Sequence, residues 1–153
     1  MSRRACVAIV LAVLAVPGGT ALADTFRGTR GDDTIVGTAG PDTINGLRGN
    51  DNLYGRAGAD RVNGGPGNDL VSGDVGNDRL NGGIGDDTLL GGAGKDVITG
   101  GPGADVIAGG NGNDQITTRD GQPDRITCGP GRDRVTADDA DDVARDCEVV
   151  RRG

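Results

Sequence analysis

The sequence predicts an all-β fold: a parallel β-solenoid of nonapeptide repeats with a disulfide-pinned C-terminal cap. Three observations predict it. From Gly28 onward the chain repeats every nine residues. Gly supplies 31 of the 153 residues, against one Phe, one Tyr, no Trp and no His. Of the 23 acidic residues only Glu148 is Glu, and the other 22 are Asp. Asp is a poor helix former that favours turns, so the chain reads as turns and short strands. A core built on aromatics is excluded. Without His, the commonest general base and transition-metal ligand is missing too.

Residues 1–23 read as a secretory signal peptide. Arg3 and Arg4 give a basic start, and an apolar run extends from Ala5 to Val16. Ala21-Leu22-Ala23 has the small-x-small form of a cleavage site and predicts a mature start at Asp24. The alternative is a retained anchor, but the run is short for a span of about 20 residues. The mature protein is therefore expected to be secreted, outside the cell and without a membrane span. Losing Arg3 and Arg4 takes the formal net charge from −7 to −9. That balance argues against nucleic acid and anionic membranes and leaves cations as natural partners. Residues 24–27 form a lead-in, in which Phe26 is placed to cover the first coil.

Residues 28–136 form the repeat domain. Ten gapless nonamers run from GTRGDDTIV to GGNGNDQIT, then the ten-residue TRDGQPDRIT, then CGPGRDRVT. The sixth position is Asp in all twelve: Asp33, Asp42, Asp51, Asp60, Asp69, Asp78, Asp87, Asp96, Asp105, Asp114, Asp124 and Asp133. The eighth is always Ile, Leu or Val, from Ile35 to Val135. Positions seven to nine set one aliphatic between mostly polar or small residues, the alternation of a short strand with one inward side chain. Positions one to six form a turn, with Gly at position four of every nonamer. Two nonapeptides, read as turn-strand-turn-strand, make one coil, and each strand pairs in parallel with the strand two repeats away. The aliphatics then form two facing ladders, a very thin core.

The same stacking piles the Asp side chains into ladders. At the strand spacing of about 4.8 Å, neighbouring carboxylates repel by on the order of 3 kcal/mol at an effective dielectric of about 20. A divalent cation with oxygen ligands would neutralise them and crosslink the turns. Ca²⁺ fits best, since it takes six to eight oxygens, carbonyls included, in flexible geometry, whereas Mg²⁺ wants a tight octahedron. Zn²⁺ and copper want His or thiolate. Enzyme readings do poorly. The carboxylates are periodic rather than one convergent pair, and no Ser–His or Cys–His pairing is possible. The glycines form no phosphate or dinucleotide fingerprint, and Lys95 fills a variable slot.

The repeat resembles the GGxGxDxUx nonapeptide of RTX, or hemolysin-type, calcium-binding proteins. GGAGKDVIT and GGPGADVIA fit it at every defined position. The resemblance is close over residues 28–117 and looser over 118–136. It implies a right-handed parallel β-roll that folds on several Ca²⁺ ions, with the sixth-position Asp series and turn carbonyls of adjacent coils as ligands. Position two departs from the pattern at Thr29, Thr38, Leu47, Arg56 and Asp74, where weaker sites are expected. Position five differs by edge. Odd repeats carry Asp32, Asn50, Asn68 and Asp86; even ones carry Pro41, Ala59, Asn77, Lys95 and Asn113. The two edges should therefore differ in affinity. The family's large toxins carry a C-terminal export signal and further domains, so the resemblance implies no toxicity.

Cys6 leaves with the signal, and Cys128 and Cys147 remain as an even pair in an oxidising compartment. They are expected to bridge, pinning residues 137–153 as an acidic cap and tail; two free buried thiols are the alternative. The cap's carboxylates, Asp138 to Glu148, are read as a solvated face rather than a further cation site. The chain as a whole is read as a secreted calcium-binding β-roll. The alternative is a calcium-dependent adhesion or polysaccharide-binding module of the cell surface or matrix. Position seven, from Thr34 to Gln115, is mixed and offers no aromatic platform for sugars. A disordered acidic chain is opposed by the strict phase of the aliphatics.

Overall fold

The computed structural model describes residues 22–153 and, as a backbone strand, residues 9–11. The secretory segment predicted over residues 1–23 thus lies largely outside the described residues. The described chain contains no helix and winds as a parallel β-solenoid of about seven turns. No helix among the described residues is long and apolar enough to cross a membrane.

Odd and even strands part into two eight-stranded sheets. The first sheet stacks β1 (Ile9–Leu11), β3 (Thr34–Val36), β5 (Asn52–Tyr54), β7 (Leu70–Val75), β9 (Thr88–Ala93), β11 (Val106–Asn111), β13 (Arg125–Thr127) and β15 (Asp142–Val143). The second stacks β2 (Thr25–Arg27), β4 (Thr43–Asn45), β6 (Arg61–Pro66), β8 (Arg79–Ile84), β10 (Val97–Thr99), β12 (Gln115–Thr117), β14 (Arg134–Ala137) and β16 (Val149–Arg152). Register follows the repeat: Ile35 pairs with Leu53 and Leu53 with Val71, each two nonapeptides along the chain. The middle residue of each strand turns inward. Ile35, Leu53, Val71 and Leu89 on one sheet are fully buried, facing Ile44, Val62, Leu80 and Ile98 on the other. These are the two predicted aliphatic ladders. Phe26 occupies the same place in β2, paired with Ile44 and buried, so it extends the second ladder by a rung.

Several central strands run to six residues because turn positions two and three pair as well, as in Gly65 with Gly83 and Pro66 with Ile84. Glycine at position two is what allows this. Gly83 has φ +122°, and a Cβ there would collide with the Gly65 carbonyl. Three repeats without that glycine keep the left-handed backbone, at Leu47 (φ 86°), Arg56 (φ 77°) and Asp74 (φ 68°). The extra residue of the eleventh repeat is absorbed in its turn. Val106 pairs with Arg125, one residue beyond the regular interval, and the sheet continues unbroken.

The C-terminal segment adds one more coil. Asp142–Val143 pairs with Arg125–Ile126, and Val149–Arg152 pairs with Arg134–Ala137. A disulfide joins Cys128 to Cys147, both in the buried core cluster. The outward residues differ between sheets. The first presents Val36, Tyr54, Leu70, Leu90 and Val106 among small polar side chains. The second presents Arg, Asn and Thr.

Candidate metal centre

Each sixth-position Asp ends a turn just before a strand and points into the roll. All twelve, Asp33 to Asp133, are 0–3 % exposed. Asp42 Oδ1 accepts from Asp24 N at 3.1 Å, and ten others accept a hydrogen bond through Oδ1 from the backbone N–H of another of the twelve, one coil earlier. The ten bonds run from Asp33 N to Asp51 Oδ1 through Asp114 N to Asp133 Oδ1, all at 2.7–2.9 Å. Stacked amides thus find acceptors in the coil above, which is why the carboxylates line up rather than splay.

The second oxygen of the same ten residues has no partner. Oδ2 of Asp51, Asp60, Asp69, Asp78, Asp87, Asp96, Asp105, Asp114, Asp124 and Asp133 is buried and bonded to nothing. A buried acceptor left unmatched is costly, and a charged one more so. Desolvation accordingly raises nine of these acids, Asp51 to Asp124, outweighing the backbone hydrogen bond that each accepts. Asp60, Asp69, Asp105 and Asp114 are pushed up to about 6, and Asp78, Asp87 and Asp124 to about 7. Asp51 and Asp96 move the same way. Neighbouring Asp charges add to the rise at all of these groups except Asp96.

Eight of the ten bare oxygens pack closely against the glycine at position one of their own repeat. A Cβ built on Gly82 would meet both Asp87 Oδ2 and the Gly100 carbonyl of the next coil. The same pair of oxygens flanks Gly46, Gly55, Gly64, Gly73 and Gly91, while at Gly109 a Cβ would meet Asp114 Oδ2 and the Cys128 carbonyl. At Gly100 the Cβ would meet Asp105 Oδ2 and the Ile107 side chain. No three His, Cys, Asp or Glu side chains come together among the described residues to hold a metal alone. Any cation here must therefore draw on backbone carbonyls as well, which suits a hard oxygen-seeking ion.

A scan against protein families settles the kind of repeat. A model of the RTX calcium-binding nonapeptide repeat, four copies long, matches overlapping windows from residue 18 to residue 123. The chain belongs to the RTX calcium-binding repeat family. A search of curated proteins found no match. RTX rolls are a structural, calcium-binding fold.

The twelve Asp residues are not equivalent within this RTX roll. At Asp33 and Asp42 the second oxygen is already engaged. Thr38 N–H donates to Asp42 Oδ2 at 2.6 Å, and the Thr38 hydroxyl donates to the same carboxylate; Thr29 does the same for Asp33. Thr29 and Thr38 are the first two departures at position two. At Asp124 and Asp133, position one is Thr118 and Cys128 instead of Gly. Two further rungs escaped the sequence reading. Asp141 Oδ1 accepts from Asp124 N at 3.0 Å, and Glu148 Oε2 from Asp133 N at 2.7 Å. Asp141 Oδ2 also takes the Thr118 hydroxyl. The missed signal was carboxylate-x-aliphatic, present as Asp141-Asp142-Val143 and Glu148-Val149-Val150.

The two edges also differ. On the odd edge the position-five side chains form an unbroken run. Asp32 accepts from Asn50 N, Asn50 from Asn68 N, Asn68 from Asp86 N and Asp86 from Ala104 N. On the even edge only Asn77 to Lys95 and Asn113 to Arg132 remain.

Proposed function

We propose that the protein is a secreted calcium-binding β-roll, with Ca²⁺ held between successive coils and required for folding. The observation that carries this reading is the row of ten buried carboxylate oxygens without a hydrogen-bond partner. When bound, the ion supplies positive charge that offsets the ladder's self-repulsion. The chain's own part is to bring the Oδ2 atoms close to the turn backbone, an approach that glycine at position one permits. Eight positions have both the bare oxygen and a glycine packed against it: Asp51, Asp60, Asp69, Asp78, Asp87, Asp96, Asp105 and Asp114. Asp124 and Asp133 are weaker candidates because a side chain stands at position one. Thr29 and Thr38 take the place of a cation at Asp33 and Asp42. The eight fall into two classes of four. The odd edge, with Asp32 and Asp86 beside its sites, binds more tightly than the even edge, which carries Lys95.

Far-UV circular dichroism during Ca²⁺ and Mg²⁺ titration tests the reading. The expected result is a β-sheet signal that grows with Ca²⁺ and not with Mg²⁺, with about eight ions bound per chain at saturation in two classes. A full β spectrum in chelator at pH 8, unchanged by Ca²⁺, would remove the folding role. Equal affinity at both edges in a site-resolved titration would remove the two-class assignment.

A further inference from the structure

The second sheet carries its charge apart from the rest of the molecule. Arg27, Arg61, Arg79, Arg134 and Arg151 all stand on its outer face, and no outward position of its eight strands is Asp or Glu. Arg61 and Arg79 are direct register partners on neighbouring strands and exposed. Like charges so placed repel, and nothing in the fold compensates them. Among the described residues the one ion pair is Arg125–Asp142, on the other sheet, at 3.8 Å. Apart from Val97 and Val149, the face is otherwise lined with amides and hydroxyls. Asn81 Nδ2 donates to Asn63 Oδ1 at 2.6 Å, with Asn45 next in the column, and Thr99, Thr117 and Thr136 continue it.

A groove of about 310 Å³ opens where this face meets the even edge. Lys95, Arg132 and Arg134 line it with Asn113, Gln115 and Val149. Asp114 and Asp133 also reach it, but both are buried and bonded to the coil below. Half of the cationic side chains after residue 23 gather here: five on the face, with Lys95 and Arg132 beside Arg134 in the groove. The other half are scattered over the edges, the first sheet and the cap.

We propose that this face and its groove bind an extended anionic polysaccharide. The arginines would take its sulfate or carboxylate groups, and the Asn and Thr column its hydroxyls. Guanidinium forks suit such anions, and the strand stack gives a straight track for a linear polymer. The absence of any aromatic on the face removes the stacking platform that single-stranded nucleic acid uses, and the acidic remainder of the chain repels a large polyanion that strays from it. The proposal needs a formed roll and so rests on the calcium reading.

The test is binding of the protein, in saturating Ca²⁺, to dextran sulfate, with neutral dextran and single-stranded DNA as comparisons. Circular dichroism of every sample reports folding separately. The expected result is binding to dextran sulfate, none to dextran and weaker binding to DNA. The pair R61Q/R79Q should weaken binding about tenfold. R30Q/R48Q, which removes the same charge from the odd edge, should change it less than about twofold. Equal losses in the two pairs would mean net charge alone acts, and the face assignment would fall. A folded protein that ignores dextran sulfate also overturns it, as does DNA binding as tight as dextran sulfate. Absence of a β spectrum in Ca²⁺ overturns the calcium reading and this proposal together.

Discussion

Asp87 has one oxygen bonded to the Asp69 amide at 2.8 Å and the other facing no donor. On the proposed reading its second oxygen is a liability without a cation and a ligand with one. Asp87→Asn should show both sides. In chelator the variant should be the more stable by on the order of 1–3 kcal/mol, since it no longer buries an unmatched charge. In calcium it should be the less stable and bind one ion fewer. Asp42→Asn should leave the ion count unchanged, because Thr38 already satisfies that carboxylate. Thermal melts with and without chelator, beside a metal count, check both variants. Arg56 makes a different point at this scale. It holds φ 77° where half of the repeats place Gly. A left-handed non-Gly residue costs about 1–2 kcal/mol, part of which Gly returns as unfolded-state entropy. Arg56→Gly should stabilise the roll by up to about 1 kcal/mol in a calcium-saturated melt, and a loss would show that the Arg side chain matters more than its backbone.

Each strand contributes one inward residue, so an element here depends on a single side chain. Leu89 in β9 is fully buried between Val71 and Ile107. Leu89→Ala should cost about 2–5 kcal/mol, toward the upper end because no second core residue in the strand can close the gap. The last coil depends on the Cys128–Cys147 bond instead. Replacing both with Ser should cost roughly 3 kcal/mol by loop closure, read as a lower melting temperature in calcium. Strand positions in the repeats were legible because a strict nine-residue phase fixes both the inward aliphatic and the turn Asp. The closing coil was not legible, because its spacing shrinks. Asp124 and Asp141 are 17 residues apart and Asp133 and Glu148 are 15, with the longer Glu side chain reaching back to the same amide. The closure of Asp33 and Asp42 was also hidden. A Thr at position two looked like a weaker glycine, whereas its hydroxyl and amide fill the role expected of the ion.

For the whole molecule, the raised carboxylates set a pH dependence whose sign changes with calcium. Asp60, Asp69, Asp78, Asp87, Asp105, Asp114 and Asp124 titrate at about 6 to 7 in the metal-free fold, above the ordinary 3.8. A raised acid favours the fold while protonated. The metal-free roll is therefore most stable below about pH 4 and loses that stability as pH rises through 6 to 7. With calcium bound, the ionised form is the favoured one, and stability falls as acid displaces the ion. In chelator, a β-sheet spectrum should appear near pH 4 and fade by pH 8. Equal spectra at the two pH values would show that the bare oxygens do not govern folding.

The alternation of strands between two sheets limits how the gene can change its length. Duplicating or deleting a pair of nonapeptides adds or removes one complete coil and leaves every later residue on its own side. Changing a single nonapeptide keeps the repeat in phase yet exchanges the sides of everything downstream. The Arg61–Arg79 column would then break off and resume among Leu70 and Leu90. The single extra residue in the eleventh repeat does neither, because a turn can bulge without altering the count of strands. Viable length variants of this protein should therefore differ by whole coils or by loop residues, and not by one nonapeptide.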